Sequence, residues 1–203
     1  MRVVLTISRL VQRKGIDRVI SAMPDVVAAV PNAVYLIGGD GPDRERLEGL
    51  RDASPARDSI KFLGGVTESE KLECYQRCDL FVMPNRAERG DVEGFGIVFL
   101  EANAFGKPVI GGRSGGALDA IVDGETGLLV DPNDVDEVAN GVVRLLEDAD
   151  EATRLGANGK RRVESDFSWT ACAIRFRTVI DEAVARSRKV GERSGVSQGS
   201  EDD

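Results

Sequence analysis

Short runs of apolar, β-branched residues alternate along this chain with longer stretches in which apolar positions recur every three or four residues. The first pattern predicts strands and the second helices. RVVLTI (2–7) reads as a strand, and the stretch Ile16 to Val30 repeats apolar residues at a helical period. The same reading gives strands AVYLIG (33–38), SIKFLG (59–64), DLFVMP (79–84), KPVIGG (107–112) and TGLLVD (126–131). Between them lie helices at 42–50, 68–77, 95–105 and 117–122, and three more follow at 135–147, 151–165 and 169–186. The strand DLFVMP must stop at Pro84, because the ring removes a backbone donor and restricts the residue before it. Six buried-looking strands separated by helices predict an α/β fold: one domain over residues 1–186, with a six-stranded parallel sheet and helices on both faces. The small, charged stretch at 187–203 predicts a disordered polar tail.

The helix at 95–105 breaks the amphipathic pattern. It follows Glu93 in the run EGFGIVFLE, continues as ANAFGKPVI, and reads apolar on nearly every side. Such helices are usually buried. Glu101 sits two turns inside it, and a buried carboxylate needs a partner. A ribose diol would satisfy it with two donated hydrogen bonds; so would an Arg or Lys from the core.

Composition narrows the chemistry. Hydrophobic residues make up 41% and charged residues 31%, an ordinary globular mixture. A net charge of -8 argues against a nucleic-acid coat. The three cysteines and the absence of a secretory leader predict a reducing, cytoplasmic setting. Cys74 and Cys78, four apart on a helix, read as small packing residues. With no histidine, this chain cannot supply a histidine-based triad, a histidine zinc ligand or an imidazole proton shuttle. No metal site is expected. Asp134-Val135-Asp136 resembles a metal-binding D-x-D, yet it follows VDPN and precedes a helix, so it reads as a helix cap.

Parallel sheets of this kind bind ligands beyond the carboxyl ends of their strands. The loops there are SRLVQRKG, GGDGPD, GGV, PNRAERGDVEGFG and GGRSGGA. Arg9, Arg13 and Lys14 follow the first strand. Cations at such a crevice suit a diphosphate, although alone they read as solvated surface charge. The helix after Glu93 opens with Gly94, Phe95 and Gly96, whose turn leaves amides free for an anion or hydroxyl.

Arg9-x4-Lys14, the loops GGDGP and FLGGV, and the run EGFGIVFLEANAFGKPVIGGRSGGALDAIVDGETGLLVDP resemble the C-terminal half of family 4 glycosyltransferases. The resemblance covers roughly residues 3–180 and is closest to phosphatidylinositol-mannoside-type mannosyltransferases. Those are retaining, metal-independent enzymes of GT-B fold with two Rossmann-like domains. The resemblance implies that Arg9 and Lys14 hold the donor diphosphate and that Glu93 contacts the transferred sugar. It implies that the amides near Gly94, Phe95, Gly96, Ile97 and Val98 bind sugar hydroxyls or phosphate, and that Glu101 binds the ribose. Val66 would contact the base, and Lys71 would reach a guanine. The donor implied is a nucleotide-diphosphate sugar, GDP-mannose ahead of a UDP-sugar, and the acceptor a lipid or saccharide. No further cofactor is implied.

That family has a first domain of similar size, supplying the acceptor site and usually a catalytic histidine. It is not in these 203 residues. Contact with the inner face of the membrane would be made through it. Leu118 and Asp119 replace a Pro and a Glu frequent in the family, which is expected to alter a turn. An isolated domain, a truncated frame and half of a split enzyme all fit the sequence. Two rival functions stay open: a non-catalytic nucleotide-sugar-binding subunit and a sugar-nucleotide epimerase.

Overall fold

The computed structural model describes residues 1–195. They divide into two compact units at Val163/Glu164. In the first unit, β1 (Arg2–Ile7), β2 (Ala33–Gly38), β3 (Ile60–Gly64), β4 (Leu80–Met83), β5 (Val109–Gly112) and β6 (Leu128–Val130) form one sheet. Its order is β3-β2-β1-β4-β5-β6, and every pairing is parallel. The α/β, six-stranded parallel architecture expected from the apolar pattern is therefore present.

The crossovers are α1 (Ile16–Ala29), α2 (Arg44–Ala53), α3 (Glu68–Arg77), α4 (Ile97–Ala104) and α5 (Ala117–Ala120). Helix α6 (Val135–Glu147) follows the last strand, and α7 (Ala149–Asp166) runs on across the division between the units. Alternation along each strand sorts the core. Val4, Tyr35, Ile37, Leu80, Val82 and Ile110 bury with apolar residues of α1 and α6. Phe81 points the other way, where its ring meets Tyr75 of α3 and Phe99 of α4 at 5.8 Å each. A buried polar chain crosses three strands. The Thr6 hydroxyl donates to the carbonyl of Val82, so the Tyr35 hydroxyl, 2.8 Å away, donates to Thr6. Two 3-10 turns, Gln12–Lys14 and Arg57–Ser59, were not anticipated from the pattern.

Strand order reverses direction at β1 and β4. Successive connections run outward to β2 and β3 on one side and to β5 and β6 on the other. A crevice opens at such a reversal beyond the carboxyl ends of the two strands. Gly15 makes the closure there possible. Its φ of 70° is left-handed, and a Cβ at that position would lie 2.0 Å from the carbonyl oxygen of Pro84. Only glycine lets the β1 loop press this tightly against the end of β4.

The second unit holds the end of α7 and helix α8 (Trp169–Gly195). Trp169, Ile174, Phe176 and Val179 of α8 are all more than 60% exposed. The helix continues through the start of the stretch 187–203 expected to be disordered; nothing between 187 and 195 is a proline that would stop it. The rest of that stretch, 196–203, lies outside the described residues.

Candidate active site

The loop after β1 and the loop after β4 meet at the crevice, and charged side chains lace them together. Glu93 is 8% exposed, and one of its oxygens accepts from Lys14 Nζ at 2.5 Å and from Arg13 at 2.6 Å. Arg13 also donates to Asp91 at 2.9 Å. Lower down, Arg86 grips both oxygens of Asp17 at 2.9 and 3.1 Å, and its backbone N–H donates to the carbonyl of Arg13 at 2.8 Å. An ammonium has three protons to donate, so Lys14 keeps donors to spare after meeting Glu93. Arg9 differs from its neighbours. It is exposed and has no ion-pair partner among the described residues.

Helix α4 starts at this floor. Gly96 caps it without any side-chain hydrogen bond, at a φ of 80°. The first amides of a helix have no intrahelical acceptor, so Ile97 and Val98 at the start of α4 present donors close in sequence to Glu93. The loop after β5 closes behind: the Gly116 N–H donates to the Glu93 carbonyl at 2.8 Å. A Cβ on Gly116 would sit 2.3 Å from the Gly94 carbonyl oxygen, so no other residue fits there.

The expectation that α4 is buried on all sides needs correction. Phe99, Leu100, Ala102 and Asn103 are buried, but Ile97 is 65% exposed and Glu101 and Ala104 lie on the same open stripe. These positions are spaced four and three apart, so they share one face of the helix. That face is open, and Ile97 on it is apolar without being part of the core. With Val92, Phe95 and Leu118, each 37% exposed or more, it forms an apolar rim.

Glu101 has two partners, both from α3. Lys71 Nζ donates to one carboxylate oxygen at 2.9 Å and the Tyr75 hydroxyl to the other at 2.9 Å. Lys71 also pairs with Glu68 at 2.9 Å. The hydrogen bond to Glu101, then that to Glu68, raise the Lys71 pKa and keep it charged. Val66, at the head of α3, is half-buried against the Gly38 end of β2. Thus the structure gathers Arg9, Lys14, Glu93 and the α4 turn at the reversal of strand order, and Glu101 with Lys71 one step along α4.

A family model described as glycosyl transferases group 1 matches residues 1–162. The chain belongs to that family. Within it, a GDP-mannose-dependent alpha-(1-6)-phosphatidylinositol monomannoside mannosyltransferase of Mycobacterium tuberculosis is 42% identical over 175 residues, covering 85% of this chain and 46% of that protein. Among solved structures, sucrose-phosphate synthase from Thermosynechococcus elongatus superposes with a TM-score of 0.76 at 34% identity, covering 91% of this chain and 46% of that one. The C-terminal domain of a glycosyl transferase group 1 family protein from Francisella tularensis shares the fold, with a TM-score of 0.72 at 24% identity over 83% of this chain and 87% of that one. The chain thus spans about half the length of the curated relative it matches. Among the described residues, no helix is long and apolar enough to cross a membrane.

Several residues of this glycosyltransferase domain escaped the sequence reading. Arg13 was grouped with its neighbours as a loop cation, yet it ties Asp91 to Glu93. Nothing in the sequence links Arg86 to Asp17, 69 positions apart. Tyr75, the second partner of Glu101, is not singled out by the apolar pattern. The signal that would have found it is its position four residues after Lys71, which puts both on one face of α3. Asp134 is a cap, as its context indicated: its carboxylate accepts from the N–H groups of Asp136 and Glu137. Cys78 is buried and its thiol is pushed up to about 12 by that burial, which fits a packing role.

Proposed function

We propose that this domain binds the donor of a retaining glycosyltransferase that moves a hexose, mannose in the first instance, from a nucleotide diphosphate to a lipid or saccharide. What carries the reading is Arg9, exposed and without an ion-pair partner among the described residues, in the same β1 loop as the Lys14 that pairs with Glu93. A diphosphate there would meet Arg9, the remaining protons of Lys14 and the open turn of α4. Cleaving the sugar–phosphate bond places negative charge on the diphosphate, and Arg9 and Lys14 stabilise it as it forms. Glu93, held by Lys14 and Arg13, is placed to accept from a sugar hydroxyl. Glu101 receives the ribose diol, while Val66 and Lys71 flank the base.

GDP is the preferred nucleotide in this reading. It rests on Lys71 beside Glu101 and on the relative whose name specifies GDP-mannose. The acceptor site belongs to a second domain, and contact with the inner face of the membrane is assigned to that domain as well. The apolar rim of Val92, Phe95, Ile97 and Leu118 supplies the surface on which such a domain would close.

Calorimetry with GDP and UDP tests the base, and Glu101→Gln tests the ribose contact. Hydrogen bonds to a charged group contribute roughly 1.5 to 3 kcal/mol, so Glu101→Gln should weaken GDP about ten- to a hundredfold. A Glu101→Gln protein that folds and binds as tightly as the parent would return Glu101 to a structural role.

A further inference from the structure

Tyr75 lies wholly inside the protein, and among the described residues its hydroxyl has one hydrogen-bond partner, the carboxylate of Glu101. The ring cannot shift to find another. It stacks on Phe105 with centroids 6.0 Å apart and leans on Phe81 at 5.8 Å, and Phe81 meets Phe99 of α4 edge-on. This aromatic column joins α3, β4 and α4, so the hydroxyl is carried on a rigid support. Burial, followed by the nearby Glu101 charge, pushes the Tyr75 pKa far up, so the group stays protonated and can only donate to the carboxylate.

Glu101 itself is half-exposed on the open stripe of α4. A carboxylate on a surface helix normally samples several rotamers, each chosen at an entropic cost when a ligand arrives. Here the two oxygens are held by donors of different kinds. Lys71 is a flexible chain shared with Glu68, whereas Tyr75 is fixed. A carboxylate offers about four lone-pair sites, and these two contacts use two of them. Two sites remain, which is the number a ribose diol requires.

We propose that Tyr75 is the positioning residue that fixes Glu101 for recognition of a ribose 2′,3′-diol, acting through the carboxylate and never touching the ligand. The inference rests on the proposed role of Glu101. It assigns Lys71 a different part, neutralising the carboxylate without setting its direction.

The test compares GDP with 2′,3′-dideoxy-GDP by calorimetry on the 203-residue chain, its Glu101→Gln variant and its Tyr75→Phe variant, with melting temperatures alongside. The parent should prefer GDP by about tenfold or more, and Glu101→Gln should bring the ratio near one. If the parent shows no preference, or Glu101→Gln keeps it, the ribose reading of Glu101 itself fails. Given that preference, Tyr75→Phe should reduce the ratio about three- to tenfold while leaving affinity for the dideoxy nucleotide unchanged. A ratio equal to the parent's overturns the positioning role. Equal weakening of both nucleotides does the same, since a merely structural tyrosine would not discriminate between them. Lys71→Met leaves Tyr75 as the sole tether and guards against a Tyr75→Phe protein that does not fold. Whatever its absolute affinity, its ratio should stay within about threefold of the parent's. Collapse to the Glu101→Gln value would overturn the proposal independently.

Discussion

Arg86 shows how much a single side chain holds at this crevice. It is 9% exposed, and its guanidinium holds Asp17 at 2.9 Å and Glu88 more loosely at 3.4 Å, while the other cations of Asp17, Arg18 and Arg46, stand back at 3.9 Å. Removing one member of a buried pair leaves the other charged and unpaired. Arg86→Met should therefore destabilise the domain by about 3 kcal/mol, lowering the melting temperature by roughly 10 °C. A variant that melts with the parent would show that Arg18 and Arg46 move in to replace it. Arg9 is the opposite case. Among the described residues its guanidinium has no ion-pair partner to lose, so Arg9→Ala should leave the melting temperature unchanged, weaken a nucleoside diphosphate strongly and weaken the bare nucleoside little. Equal losses for both ligands, measured by titration, would remove Arg9 from the phosphate. The residues whose chemistry is unusual for their position were legible in the sequence: a glutamate inside an apolar helix, cations after a first strand. Arg86, Asp17 and Tyr75 were not, because each is an ordinary residue until tertiary structure supplies its partner.

At the scale of elements, the strands and most helices were legible because burial on both faces writes an unbroken apolar run. Helix α4 was legible as apolar but not as half-open, since Ile97 on its outer face carries the same signal as Phe99 on its inner one. Helix α3 is fixed at its start by a reciprocal cap. The Glu70 N–H donates to the Thr67 hydroxyl, and the Glu70 carboxylate accepts from the Thr67 N–H and hydroxyl. The hydrogen bond from the Thr67 N–H, then that from its hydroxyl, hold the Glu70 carboxyl below its ordinary 4.5. A lowered folded-state value means a contribution present above the ordinary pKa and lost as pH falls through the lowered one. Thermal melts should accordingly show the parent above Glu70→Gln at neutral pH, with the gap closing on acidification. A gap that stays constant down to pH values well below 4.5 would show that the charge plays no part in the cap.

The whole molecule has a crevice at the reversal of strand order, an apolar rim and about half the length of the relative it matches. On the proposed reading, the purified chain binds a nucleotide but turns over no donor with an acceptor. Adding the missing half, separately or by fusion, should restore glycosyl transfer, followed by release of the nucleoside diphosphate. Robust transfer by the 203-residue chain alone would refute the division of labour.

The bonds that tie the β4 loop to the β1 loop on one side and to the β5 loop on the other have a consequence for how the crevice behaves in time. The Arg86 amide is tied to the Arg13 carbonyl, and the Gly116 amide to the Glu93 carbonyl. Both belong to loops that would ordinarily exchange their amide protons with solvent within moments. Tied in this way, they should exchange only through a concerted opening that also parts Arg86 from Asp17 and Lys14 from Glu93. Deuterium uptake at Arg86 and Gly116 should then be slow in the empty protein and slow further only slightly when GDP is added, while the amides at the start of α4 should be the ones that respond. A crevice floor that stiffens only on nucleotide addition would instead mark a site assembled by its ligand.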